Sequence, residues 1–136
     1  MPLNSVGSVA QDSESPQGAN LSAATVVFWT SPFFCAITRI WWTVSATPTT
    51  SPTVVTPTII PAGGGTAVQM QNNGANATIS IPTSQTAGAS LSQDFNGLNQ
   101  LNEGDTLALT SNAGSANAAT TSVACTIKYT PRTVVP

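Results

Sequence analysis

Apolar residues recur along this chain with a period of two, the spacing that puts alternate side chains on one face of a β-strand. The clearest run is the last: Val123, Cys125, Ile127 and Tyr129 share one face, Ser122, Ala124, Thr126 and Lys128 the other, and Pro131 ends it. Leu107 and Leu109 alternate with Thr106, Ala108 and Thr110. Val68 and Met70 form one short alternating run and Ile79 and Ile81 another, with Asn73-Gly74 between them. Asn-Gly between two such runs predicts a hairpin, because both residues accept the positive φ that a type I′ turn requires. Ala89, Leu91 and Phe95 mark a further strand. Leu98 and Leu101, three apart in an Asn-rich link, predict one helical turn, and Glu103-Gly104-Asp105 predicts a β-turn.

Two runs carry apolar residues on both faces. Residues 25–30 (Thr-Val-Val-Phe-Trp-Thr) predict a strand covered on both sides. In residues 33–46, Phe34, Ala36, Ile40, Trp42, Val44 and Ala46 make the better core face, interrupted by Thr38. The opposite parity still holds Phe33, Ile37 and Trp41. Either a subunit interface covers that face, or a bulge exchanges the faces midway. The interface alternative makes Trp29, Phe33, Ile37 and Trp41 the candidate interface residues. Adjacent Trp41 and Trp42 must point to opposite sides of the strand.

Residues 47–65 contain prolines at 48, 52, 57 and 61 and end in Gly63-Gly64-Gly65. Because proline cannot donate to a ladder, they predict a loop, a ragged edge strand around 54–60, or a polyproline-like segment. Residues 1–22 have no period and predict a flexible N-terminal arm, either a plain terminus or a tether that orders on a partner. The remainder, 23–136, forms one domain, as the total length of 136 residues allows. Seven clear strands and one doubtful one, joined by short turns, predict an all-β, two-sheet antiparallel sandwich of jelly-roll type.

Composition sharpens this. Three Lys/Arg and five Asp/Glu make 6% charged residues, against about 25% in ordinary soluble domains. Such a surface is weakly defended against association. A net charge of −2 without a basic cluster excludes a phosphate-tracking nucleic-acid surface. No apolar run reaches the roughly 20 residues of a membrane span, and Met1-Pro2-Leu3-Asn4 begins no basic and apolar export signal.

Candidate chemistry is sparse. The chain has no histidine, which removes the commonest general base and metal ligand. Cys35 and Cys125 lie on apolar strand patterns, as two buried thiols or as a disulfide between the early and late strands. Asp94, Glu103 and Asp105 are the carboxylates of the domain, and Glu103 and Asp105 read as turn-formers before they read as catalytic or calcium ligands. Gly63-Gly64-Gly65 lacks the Lys-Ser/Thr of a phosphate loop. Trp29, Trp41 and Trp42 fit core, interface or sugar-stacking positions. No cofactor, catalytic or metal residue is assigned.

In order and spacing, Val26-Val27-Phe28-Trp29-Thr30-Ser31-Pro32-Phe33, the strand from Val68 into Asn73-Gly74, Glu103-Gly104-Asp105-Thr106-Leu107, and Val123-Ala124-Cys125-Thr126-Ile127 resemble the small jelly-roll proteins of tailed-phage particles, of head-fibre or capsid-decoration type. The resemblance spans residues 25–130 and departs at the Pro-rich stretch 47–61. It implies a non-catalytic virion protein assembled in the host cytoplasm. It also implies a homotrimer held to the major capsid or another virion protein through residues 1–22. A carbohydrate- or receptor-binding module at a fibre tip, contacting host glycan, is the alternative.

Overall fold

A computed structural model of the chain describes residues 10–14, 27–44, 47, 53–111 and 123–132. These form β1 (Ala10–Glu14), β2 (Val27–Thr30), β3 (Cys35–Val44), β4 (Thr53–Ile60), β5 (Val68–Gln69), β6 (Gln71–Asn72), β7 (Ala75–Asn76), β8 (Ile79–Ile81), β9 (Ser90–Asp94), β10 (Gln100–Leu101), β11 (Thr106–Ser111) and β12 (Val123–Pro131).

Two five-stranded sheets pack face to face. Sheet A runs β1-β12-β3, with β9 and β10 end to end on the far side of β3. Sheet B runs β2-β11-β4, with β5 and β8 end to end on the far side of β4. All of these pairings are antiparallel. The chain is thus a long hairpin folded over itself: first strand pairs with last, second with next to last, third with β9–β10, and fourth with β5–β8. That nesting is the strand order of a jelly roll.

Why both parities of β3 are apolar is visible in its pairing. Lys128 lies opposite Arg39, but the next residue, Tyr129, lies opposite Ile37, so Thr38 is an extra residue on β3. This is a β-bulge, and it reverses the phase of the strand. Cys35 and Ile37 point inward before it; Ile40, Trp42 and Val44 point inward after it, and all five are buried. The Thr38 hydroxyl donates to the Lys128 carbonyl at 3.2 Å, holding the irregularity in place. Of the two explanations the sequence allowed for the two-faced run, the bulge is realised.

The same irregularity breaks the strand on the other side of β3. Phe95 N donates to Thr38 O (3.0 Å) and Ile37 N donates to Asn99 O (2.9 Å), so residues 96–98 are squeezed out of the ladder. Buried Asn99 fills the gap, its Nδ2 donating to Ile37 O at 2.5 Å. The predicted helical turn at 98–101 does not form: Leu101 belongs to β10 and Leu98 sits in the extruded loop.

The Pro-rich stretch is a second correction. Residues 53–60 are neither loop nor ragged edge but the central strand β4, paired on both sides. Pro57 is tolerated because its carbonyl accepts from Met70 N (3.1 Å) on the β5 side. A strand residue's N and O point the same way, so the missing donor also faces that side. There it falls between the β8 pairing at 53–55 and the β5 pairing at 58–59, where no ladder bond is lost.

The Asn73-Gly74 hairpin is present, with φ of 52° and 78° as type I′ demands, but only β6 and β7 pair across it. Its outer arms, β5 and β8, separate and dock on β4 instead. Within the expected arm 1–22, Ala10–Glu14 form β1, paired with β12 over Tyr129 to Cys125; the rest of that span is outside the described residues. Ala-Gln-Asp-Ser-Glu carries no apolar alternation, so backbone pairing alone marks it as a strand.

At one end of the core, aromatic rings join the sheets. Trp29 of sheet B stacks on Tyr129 of sheet A with centroids 5.6 Å apart, and Phe33 tilts against Tyr129 at 5.2 Å. The bulge is what permits a single core on both halves of β3. Thr38→Ala, losing one hydrogen bond, is expected to cost about 1 kcal/mol in urea unfolding. Deleting Thr38 returns Cys35 and Ile37 to the solvent side and is expected to cost about 3 kcal/mol or more. A deletion no worse than the alanine variant would show that the phase reversal is dispensable.

Candidate functional site

The outward face of sheet A carries three charged residues side by side. Across three strands, Lys128, Arg39 and Asp94 stand in one row, and Thr126, Trp41 and Ser92 in the next. Arg39 makes a two-pronged ion pair with Asp94, through Nε to Oδ1 and through Nη2 to Oδ2 at 2.9 Å. The hydrogen bond from Arg39, with its charge and that of Lys128, holds the Asp94 carboxyl below the usual range, while Asp94 raises Arg39. Both groups are solvent-exposed, so this pair adds little to stability. The Arg39 guanidinium carbon lies 5.5 Å from the centre of the Trp41 ring, which is half-buried among Thr and Ser hydroxyls.

The outward face of sheet B is the opposite in character. Phe28, Ala108 and Thr58 form one row, Thr30, Thr106 and Ile60 the next, with Thr56, Thr110 and Val54 beyond. None is charged. Phe28, on the edge strand β2, is 54% exposed. Among the described residues the two-sided cover predicted for residues 25–30 is therefore incomplete: Trp29 is buried and Phe28 is not.

A cavity of about 460 Å³ opens on the opposite edge of sheet B, where β4 and β5 meet the edge of sheet A. Its walls are Ile59, Pro61, Val68 and Leu98, with Gln100, Asn102 and Asp105. Two clamps across the seam bracket it. On one side the extruded loop reaches the hairpin: Gln71 N donates to Gly97 O (2.8 Å) and Asn96 N to Gln71 O (3.0 Å), while Asn73 N donates to Asn96 Oδ1 (2.7 Å). On the other, the buried Asp105 carboxylate accepts from Ala62 N (2.9 Å), Asn102 N (2.8 Å) and Asn102 Nδ2 (3.3 Å). Gly104, beside it, needs to be glycine: its φ is +88°, and a Cβ would stand 3.2 Å from Ala62 Cβ. Leu98 at the lip has φ +47° and is 54% exposed. A leucine there carries roughly 1–2 kcal/mol of backbone strain.

The four sequence-predicted interface residues do not form one surface. Trp29 and Ile37 lie in the chain's own core, Phe33 packs against it, and Trp41 is on the outer face of sheet A. Phe28 and Leu98 were not singled out by pattern. Phe28 has only its place in a two-faced apolar run to mark it, and the exposure of Leu98 follows from the bulge, which the two-faced run of residues 33–46 allows but does not locate.

Two of the candidate carboxylates have partners of their own. Asp105 holds the turn, as predicted, and Asp94 holds Arg39. Among the described residues no three Cys, Asp or Glu side chains gather as a metal site. Cys35 is buried and free. Register decides against a disulfide: Cys35 is opposite Pro131 while Cys125 is opposite Trp42, seven residues along β3. That is about 23 Å at a strand's rise, against the roughly 7 Å limit for a bridge. No known family model matches this sequence, and no curated protein does.

Burial raises the Cys35 thiol above its ordinary value of 9.0, against a weaker lowering by the Ser31 hydroxyl. Being raised in the fold, it contributes stability in full below the unfolded value, and that contribution fades as pH climbs through the folded one. Iodoacetamide at about pH 8 is expected to leave Cys35 unmodified in the folded protein and to alkylate it in urea, as read by peptide mass mapping. Equal labelling in both states would contradict the buried, neutral thiol.

Proposed function

We propose that this chain is a non-catalytic structural protein that assembles in many copies on a tailed-phage particle, as decoration or as a fibre. The uncharged outer face of sheet B supports this most directly. Soluble proteins ordinarily place charges on exposed sheet faces and edges to prevent association. Here nine neighbouring outward positions, from Phe28 to Val54, hold threonine, aliphatic and aromatic residues with no charge. Such a face suits contact with another protein surface of the same kind. The jelly-roll strand order agrees with the family resemblance, although a fold of this kind serves many functions.

In light scattering on a sizing column the full chain is expected to have a multiple of 13.8 kDa, three copies being the expected state. Its mass should be insensitive to salt, since screening weakens charge contacts and leaves apolar ones. Peptides of the chain should also appear at high copy number in purified particles of the phage that encodes it. A monomer at all concentrations, with no recovery from particles, would refute the reading.

Trp41 favours a second reading, glycan recognition. It is the one tryptophan of the three set on an outer sheet face, amid hydroxyl side chains and beside a guanidinium, and ring faces of this kind stack on sugars. Binding on a broad glycan array, abolished by Trp41→Ala with the oligomer intact, would support it; silence across the array counts against it.

A further inference from the structure

We propose that the Asn73-Gly74 turn is a site of spontaneous self-modification, losing the Asn73 side-chain amide as ammonia, and that the fold withholds the same reaction from Asn96-Gly97, which faces it. The reaction needs no partner molecule and is independent of whether the chain assembles.

Asparagine followed by glycine is chemically labile, because glycine places no side chain in the way of attack by its own nitrogen. The chain contains two such steps, and the structure sets them against each other. Asn73 N donates to Asn96 Oδ1 at 2.7 Å, and Asn96 Nδ2 donates to Asn73 Oδ1 at 2.9 Å. Both asparagines are exposed, so water reaches each of them. In sequence the two steps are equivalent.

Their glycine nitrogens are not. Gly97 N donates to Gln71 O (3.1 Å), Asn96 N joins the same acceptor (3.0 Å), and Gly97 O accepts from Gln71 N (2.8 Å). A Cβ on Gly97 would stand 3.3 Å from Gln71 Cβ, so this peptide is packed as well as bonded. Bringing Gly97 N to its asparagine requires the clamp to break. Gly74 N, by contrast, has no hydrogen bond among the described residues, and a Cβ there would meet nothing within 4 Å. Only two residue pairs close the hairpin behind it, and short exposed segments of this kind open locally at little cost. Turning the Gly74 peptide toward the Asn73 side chain also leaves both bonds to Asn96 in place, since neither belongs to the moving peptide. The bond from Asn96 Nδ2 then supports the charge that develops on Asn73 Oδ1.

In the reaction Gly74 N bonds to Asn73 Cγ, the bond from Cγ to Nδ2 breaks, and Nδ2 leaves as ammonia with the proton that Gly74 N gives up. The product is a cyclic imide. Water opens it at either carbonyl, giving aspartate or isoaspartate at position 73. Isoaspartate adds a methylene to the main chain, which the type I′ geometry does not accommodate. The hairpin then lets go of the loop at 96–98, and one clamp across the seam is lost.

Ageing the full chain in mildly alkaline buffer, with peptide mass mapping over time, tests this. In the folded protein Asn73 is expected to convert roughly tenfold or more faster than Asn96, and in urea, where Gln71 no longer holds Gly97, the two rates should agree within about twofold. Gly74→Asn has open space and a residue that accepts positive φ, and its side chain hinders the attack. On ageing, the melting temperature of the wild type should fall while that of Gly74→Asn holds. Equal conversion at the two sites in the folded chain, or faster conversion at Asn96, would overturn the assignment. So would an Asn73 that converts only in urea.

Discussion

The extra residue at Thr38 is the constraint from which much of this molecule follows. A strand as long as β3 presents alternate residues to alternate faces, and its sequence cannot satisfy one sheet without a change of phase. By absorbing one residue, the bulge turns Cys35 and Ile37 toward the same core as Ile40, Trp42 and Val44. The partner strand must then break as well. Residues 96–98 leave the ladder, cross to the hairpin of the other sheet and carry Leu98 to the lip of the seam cavity. A packing requirement in the core thereby creates a surface feature.

The two sheets are held by different means at different places. Along the middle the bond is apolar burial, in which Trp42, Ile40, Ile127, Leu107, Leu109 and Val55 are fully covered. One end has the ring contacts of Trp29, Tyr129 and Phe33. Close to it, backbone bonds tie the ends of β2 and β11 within sheet B, Gly104 N donating to Ser31 O at 2.8 Å and Ser31 N to Asp105 O at 2.9 Å, while the Asp105 carboxylate, accepting from Ala62 N and Asn102 N, links the end of β4 to the end of β10 in sheet A. Buried polar groups of this kind add little net energy when satisfied and cost a good deal when broken. Their effect is to fix which loop lies against which. That is how a chain with very few charges still specifies one arrangement of its edges.

The two outer faces differ in character. Sheet A gathers Arg39, Asp94 and Lys128 around Trp41, a surface that water and small polar ligands can share. Sheet B presents uncharged rows and an unburied phenylalanine, a surface better suited to another protein.

Fold class was legible in the chain because period-two patterns are local: the alternations that became β8, β11 and β12, and the type I′ signal at Asn73-Gly74, hold in isolation. The opposite faces of Trp41 and Trp42 and the turn role of Asp105 were equally legible. The tertiary structure decided the rest. It placed the bulge at Thr38, because the partner register at Lys128 and Tyr129 sets the phase and lies ninety residues away in sequence. It made residues 53–60 a central strand, because Pro57 is harmless only where its neighbours leave a gap. It paired Ala10–Glu14, where no side-chain pattern exists, through backbone bonds that β12 supplies. The strand order and the seam cavity belong to the same class, since each depends on residues brought together from both sheets. Periodicity reports what a residue prefers to face, and only pairing across the fold determines what is there to be faced.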